Sequence, residues 1–171
     1  MLGNHELSHI KNINIYKGGL NQKEFFEKLI KNKYGSMEPL KEYIKFFESL
    51  AIFAKTDNKV FISHAGPSPK IDSEKKVNKM LNFIDYDTLG IDDFLWLRYY
   101  SITTEKIDSF LKFVNCNVMI VGHTPVNGFK IHGDLMVLSS SFASKNKAYL
   151  DIDLKKDINS INELKKRIKY L

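Results

Sequence analysis

The sequence predicts an α/β fold on three observations. Segments whose apolar residues keep helical spacing alternate with short runs that are apolar throughout, the pattern of strands buried on both faces. Two of those runs, at 60–63 and 117–121, each end at a turn that carries a histidine beside a glycine or a small residue, at His64-Ala65-Gly66 and Gly122-His123. A third such turn, Gly3-Asn4-His5-Glu6, opens the chain, and loops behind strand carboxyl ends are where α/β sheets place their sites. With 171 residues, 43% hydrophobic and 12% aromatic, the chain is expected to form a single domain over 1–171 with its own core.

The elements follow in order. Residues 7–20 keep no steady period, and Gly18-Gly19 interrupts them. Phe25, Phe26, Leu29, Ile30 and Tyr34 give a helix over 22–34. Gly35 and Ser36 end it, and a second helix follows whose stripe of Leu40, Tyr43, Ile44, Phe47 and Leu50 reads as core. Strands are expected at 51–54 and 60–63 around the polar turn 56–59. Gly66-Pro67-Ser68-Pro69 must be loop, after which Ser73 caps a helix carrying Val77, Met80, Leu81 and Ile84. Residues 85–90 connect to Leu95-Trp96-Leu97-Arg98, then to a helix with Ile107, Phe110, Leu111 and Val114, then to the strand at 117–121. Beyond it, 129–132, 135–138 and 148–154 read as an antiparallel meander with Gly133-Asp134 as a hairpin turn. Ser160-Ile161-Asn162-Glu163 has the form of a capping box, opening a C-terminal helix within 158–171 with Ile161, Leu164, Ile168 and Leu171 on one face.

Bulk properties narrow the function. No apolar run approaches the ~18 residues of a membrane span, and no basic segment followed by an apolar one marks a leader. The single cysteine, Cys116, excludes an internal disulfide, fits a reducing cytoplasm and reads as a small buried hydrophobe. Net charge is +6, almost all of it lysine spread along the chain, so most of it reads as solvated faces. A nucleic-acid partner is the weakest of the readings, because no aromatic platform interleaves the lysines. Only Arg98 and Arg167 are arginines, and in so lysine-rich a chain an arginine marks a place lysine cannot fill.

The chemistry-bearing residues are Asn4, His5, His64, Arg98 and His123. One amide oxygen and two imidazoles at three turns suit a divalent transition metal, zinc, iron, manganese or nickel, with positions left open for substrate. The competing reading of the first turn is a plain helix start with Asn4 as N-cap. His9 and His132 lack a comparable setting and read as structural, and Asp72, Asp85, Asp87, Asp92 and Asp93 read as capping or solvated groups.

Gly3-Asn4-His5-Glu6, Ser63-His64-Ala65-Gly66, Leu95-Trp96-Leu97-Arg98 and Gly122-His123-Thr124-Pro125 stand in the order seen in calcineurin-like metallophosphoesterases. From residue 1 to about 153 the chain most resembles their phosphoprotein phosphatase branch, which includes serine/threonine phosphatases and symmetrical dinucleoside tetraphosphatases. The resemblance implies a two-sheet sandwich flanked by helices (αββα). It also implies that Asn4, His64 and His123 bind one metal of a two-metal centre, with manganese the first expectation. His5 would be the general acid that protonates the leaving oxygen, and Arg98 a fork on the phosphoryl oxygens. The family's earlier motifs, Asp-x-His and Gly-Asp-x-x-Asp-Arg, do not occur in this sequence. By that likeness the first strands of the sheet, the other metal's ligands and the bridging aspartate are missing. The expectation is therefore a carboxyl-terminal portion of a phosphatase, inactive alone and completed by a segment carrying those motifs. Its substrate would be a phosphoprotein or a nucleotide, and the alternative is a non-catalytic binding remnant of the fold.

Overall fold

In the computed structural model, residues 1–82, 90–141 and 146–171 are described, and they divide into two compact units, Met1–Ala51 and Ile52–Leu171. The sequence expected one domain. Ile84, Asp85 and Asp87 of the reading above lie outside the described residues.

The first unit begins with helix α1 (Asn4–Ile10), which starts in the opening motif, where a helix start was the competing reading, and runs into the stretch from residue 7 that keeps no period. Gly3, not Asn4, is the N-cap: its backbone is extended, its N–H donates to Glu6 Oε2 at 3.0 Å, and its carbonyl accepts from Leu7. A glycine has no side-chain oxygen to cap with, so Glu6 alone closes this end. The hairpin β1 (Tyr16–Lys17) and β2 (Leu20–Asn21) turns on Gly18 and Gly19, both at positive φ, so what read as an interruption is a two-residue hairpin loop. Helix α2 (Gln22–Tyr34) has the expected bounds, from Asn21, which accepts from Glu24 N–H, to a left-handed Gly35. Helix α3 (Glu38–Glu48) directs its stripe inward as expected, but none of its residues is fully buried. Phe26 meets the His9 ring edge to face and Phe47 meets it at a tilt, while Tyr43 packs edge to face on Phe26.

His9 is only 9% exposed, its Nδ1 3.6 Å from Glu27 Oε1, which also pairs with Lys23 at 2.8 Å. Burial lowers the His9 pKa from its ordinary 6.5, against the upward pull of Glu27. The unfolded chain then binds a proton that the folded unit resists, so stability is lost as pH falls below about 6.5. Denaturant unfolding of the wild type and His9→Gln at pH 5 and 7.5 checks this. The wild type should lose more stability on acidification than the variant, and equal losses would refute it.

The second unit holds a five-stranded mixed sheet, in the order β3 (Phe53–Lys55), β4 (Val60–Ser63), β5 (Val118–Val121), β7 (Leu135–Leu138), β6 (Phe129–His132). β4, β5 and β7 are parallel neighbours; β3 and β6 close the edges antiparallel. Side chains alternate between its faces. On one face Phe61 packs on Phe94 and Phe110, rings of helix α5 (Asp93–Trp96) and helix α6 (Thr104–Phe113), following helix α4 (Glu74–Asn82) in the chain. Ser73 caps α4 as expected, its Oγ accepting from Lys76 N–H at 3.4 Å. On the other face Val60, Val118, Ile120 and Met136 meet Ile158, Leu164, Leu150 and Ile168.

Leu150 and Ile168 belong to a second small sheet, β8 (Ala148–Leu150) paired antiparallel with β9 (Ile168–Tyr170), Leu164 to the helix α7 (Ile161–Lys165) between them, and Ile158 to the loop before it. The α/β expectation holds, as a mixed sheet with helices on one face and a two-stranded ribbon on the other. Two expectations change. β8 leaves the meander to pair with the end of the chain, and the helix expected within 158–171 stops at Lys165. Ile168 had matched the helical stripe, yet as a strand residue it reaches the same apolar face. A one-turn helix plus a strand satisfies that spacing as well as a longer helix does. Ser160 does cap α7, accepting from Glu163 N–H, while the Glu163 carboxylate accepts from Asn159 instead of closing the box.

Among the described residues, no helix is long and apolar enough to cross a membrane.

Candidate metal centre

β4 and β5 run parallel side by side, so the residues after their carboxyl ends become neighbours. The Gly122 N–H donates to the His64 carbonyl at 3.0 Å, carrying the ladder one step past the strands. The chain then folds sharply: Thr124 N–H donates back to the Gly122 carbonyl at 2.5 Å, a γ-turn with His123 at its centre and φ of 55°. Such a conformation is strained for a side chain larger than glycine and persists where the surroundings impose it.

The consequence is that His64 Nε2 and His123 Nδ1 face each other at 3.1 Å, their rings 5.0 Å apart and inclined at 63°. That separation accommodates a hydrogen bond if one ring carries its proton there. It equally suits two neighbouring ligands of one cation, since N–metal lengths of about 2.0–2.1 Å put adjacent ligand nitrogens roughly 3.0–3.4 Å apart. The pair therefore fits part of a cation shell. Among the described residues, no group of three or more His, Cys, Asp or Glu side chains is arranged to hold a metal ion.

Arg98 is positioned at the same end of the sheet by its backbone. The loop after His64 is bonded to α5 and its exit: Ala65 N–H donates to the Phe94 carbonyl at 2.7 Å, and Gly66 N–H to the Leu97 carbonyl at 3.1 Å. Gly66 has φ of +91°, and a methyl there would come within 3.0 Å of the Phe94 ring and 3.3 Å of its Cα, so only glycine permits the approach. Ser68, 1% exposed, donates to Asp93 Oδ2 at 2.7 Å and fixes the far side of the loop. Asp93, expected to be a capping or solvated group, is instead this latch. The Trp96 ring meets the His123 ring edge to face at 6.3 Å, while half-buried Arg98 begins the short 3-10 turn Tyr99–Ser101.

In the first unit, α1 turns Asn4 inward, 4% exposed, and His5 outward to solvent. Ser8 Oγ donates to the His5 carbonyl at 2.6 Å, bracing that turn. His132 donates its Nε2 hydrogen to the Ile102 carbonyl at 2.8 Å and His9 sits among phenylalanines, the structural placements expected of both. Cys116 is buried, and burial raises its thiol pKa, which leaves it inert.

The calcineurin-like phosphoesterase family pattern matches residues 1–127. The fold is similar to a protein serine/threonine phosphatase from Saccharomyces cerevisiae, described as similar to human phosphatase PP5. The identity is 18% and the TM-score 0.61, over 80% of this chain and 45% of that one. It is also similar to the cold-active protein-tyrosine phosphatase of a psychrophilic Shewanella, at 19% identity and a TM-score of 0.50, over 83% and 49% of the two chains. At these identities the likeness is one of fold, and the chain spans less than half the length of each. No curated protein matches the sequence. With the family pattern over most of its length, and its motif histidines paired at adjacent strand ends, this chain belongs to the calcineurin-like phosphoesterase family.

Proposed function

We propose that the chain is the carboxyl-terminal catalytic portion of a metal-dependent phosphoric-ester hydrolase of the serine/threonine phosphatase type. The observation that carries this reading is the pair of imidazole nitrogens 3.1 Å apart at the ends of β4 and β5. His64 and His123 would hold a divalent cation with Asn4 as the third protein ligand, manganese being the first candidate. The cation would supply charge neutralisation and Lewis-acid activation of the phosphoryl group.

The chain's own groups divide the remaining work. Arg98 presents a planar fork to two phosphoryl oxygens, neutralising charge without competing for a proton. His5, exposed at the start of α1, donates a proton to the departing oxygen, which spares the alkoxide from leaving as an anion. Gly66 and the Ser68–Asp93 latch hold the Arg98 backbone in register with the His64 loop. The motifs Asp-x-His and Gly-Asp-x-x-Asp-Arg do not occur in these 171 residues, and by the family likeness the chain alone should not turn over.

The test is manganese-dependent hydrolysis of 4-nitrophenyl phosphate by the chain alone and after mixing with a polypeptide carrying Asp-x-His and Gly-Asp-x-x-Asp-Arg. No turnover is expected alone. Turnover in the mixture should fall by about 10²–10⁴-fold in His5→Asn, the span of a general acid's contribution. Brisk hydrolysis by the chain alone, or a mixture indifferent to His5→Asn, would contradict the assignment.

A further inference from the structure

We propose that the outer side of the β8–β9 ribbon, with the turn that follows β8, is a docking surface for anionic lipid bilayers. Leu154 inserts at the bilayer interface, and Lys155, Lys156, Arg167 and Lys169 lie over the acidic head groups. The binding is peripheral, and it does not depend on the metal-centre reading, in which none of these residues takes part.

The segment 146–171 gathers two kinds of side chain. Among the described residues of the second unit, six large hydrophobic side chains are exposed, and four of them, Tyr149, Leu154, Tyr170 and Leu171, lie in this segment. The same segment carries seven of the 26 lysines and arginines against four carboxylates, an excess that is half of the net charge of +6. A leucine or tyrosine exposed by itself is ordinary. Grouped with cations, these residues have the composition of a membrane interface, where tyrosine rings sit at head-group level and lysines and arginines meet acidic lipids.

The fold turns this set away from the core. Ala148 is buried, and Leu150 and Ile168 pack on the central sheet. Side chains alternate along a strand, so Tyr149 and its cross-strand partner Lys169 face outward together. Lys169 donates to Asp151 and, with Arg167, holds that exposed carboxyl below its ordinary range, which puts both cations on the side of Asp151. Beyond β8 the chain makes a tight turn, in which Lys155 N–H donates to Asp153 Oδ1 at 3.0 Å and Lys156 N–H to the Asp153 carbonyl at 3.2 Å. Leu154 stands in this turn, 63% exposed, followed by the exposed Lys155 and Lys156. Lys156 reaches Asp153 only at 3.7 Å and in solvent, a pairing too weak to occupy its charge. The turn itself is pinned. Buried Asn58 donates to the Asp153 carbonyl at 3.2 Å, and its own carbonyl accepts from Ile158 N–H at 3.0 Å. An apolar side chain displayed on an anchored turn enters a bilayer with little loss of backbone freedom. An acidic polymer would use the cations and leave Leu154 idle, so the leucine is what selects a bilayer.

Cosedimentation of the chain with vesicles of phosphatidylcholine alone, and of phosphatidylcholine with about one-third phosphatidylserine, tests this. Binding should require the acidic lipid and weaken as salt is added. Lys155→Gln should lower the partition coefficient about fivefold and Lys155→Gln with Lys156→Gln roughly 25-fold, while Leu154→Ser should lower it about three- to tenfold. Lys106→Gln, at an exposed position of α6 on the opposite face of the sheet, should leave it within about twofold. All four positions are exposed, and unfolding curves confirm that each variant is folded. Absence of binding to the acidic vesicles, or equal binding to both kinds, would overturn the proposal. A loss in Lys106→Gln as large as in Lys155→Gln would reduce the effect to general charge attraction and overturn it as well. If the lysine variants weaken binding and Leu154→Ser does not, the surface serves acidic polymers and the assignment to a bilayer falls.

Discussion

Replacing His123 by glycine is expected to abolish divalent-cation binding while leaving the fold within about 1 kcal/mol of its original stability. The two effects separate because His123 occupies a conformation that suits glycine better than histidine, with φ of 55° at the centre of a tight turn. Relief of that strain should return about 1–2 kcal/mol, and the greater freedom of glycine in the unfolded chain should remove about 0.5–1 kcal/mol of it. The imidazole facing His64 is lost altogether, and losing a direct ligand should cost more than the 10–100-fold typical of groups that only orient one. Cation titrations and denaturant unfolding of the same variant give both numbers. A variant that binds manganese as well as the wild type would remove His123 from the centre. A loss of 3 kcal/mol or more in stability would show that His123 is held for packing instead.

Phe61→Ala should be the most destabilising single truncation in the second unit, by about 3–5 kcal/mol. Phe61 is fully buried, stacks on Phe53 at 5.3 Å, and meets Phe94 at 5.8 Å and Phe110 edge to face at 5.0 Å. It is therefore the shared partner of an edge strand, α5 and α6, and its removal leaves a cavity that three elements would have to close. The site would feel the change too, since Phe94, whose ring it supports, has the backbone carbonyl that accepts from Ala65 N–H, beside His64. Urea unfolding measures the cost. A value below about 1.5 kcal/mol would mean that these rings are not the keystone of the sheet's helix-covered face.

Apolar patterning made much of the scaffold legible. Val60–Ser63 and Leu135–Leu138 were readable to the residue, because strands covered on both faces are apolar or nearly so along their whole length. The helix Gln22–Tyr34 was equally plain, with Gly35 as its stop. Helix α1 was read only as a competing helix start, because its seven residues span about two turns and its polar Asn4, Ser8 and His9 are buried, which no apolar period reveals. The end of the chain misled for a related reason. Ile168 keeps helical spacing with Ile161 and Leu164 yet reaches the core as part of a strand paired with Ala148–Leu150.

At the site, glycine-flanked histidines behind apolar runs were enough to single out His64 and His123, and parallel pairing of β4 with β5 supplied the proximity that spacing alone could not. Asp93 was missed as the partner of Ser68 because the two are 25 residues apart in the chain. Nothing local distinguishes such an aspartate from a helix cap. Trp96 was visible as a lone tryptophan two residues before Arg98, but its contact with His123 joins the end of α5 to the turn after β5, which only the fold brings together.

The central claim is that His64 Nε2 and His123 Nδ1 share one cation, and long-range proton–nitrogen correlation spectra of the histidine rings test it most directly. One equivalent of zinc should move both of those nitrogens to metal-bound positions together, leaving those of His9 and His132 where they were. If the two facing nitrogens instead stay unchanged while zinc binds elsewhere, they are joined by a hydrogen bond and not by a metal, and the metal centre does not lie at these strand ends.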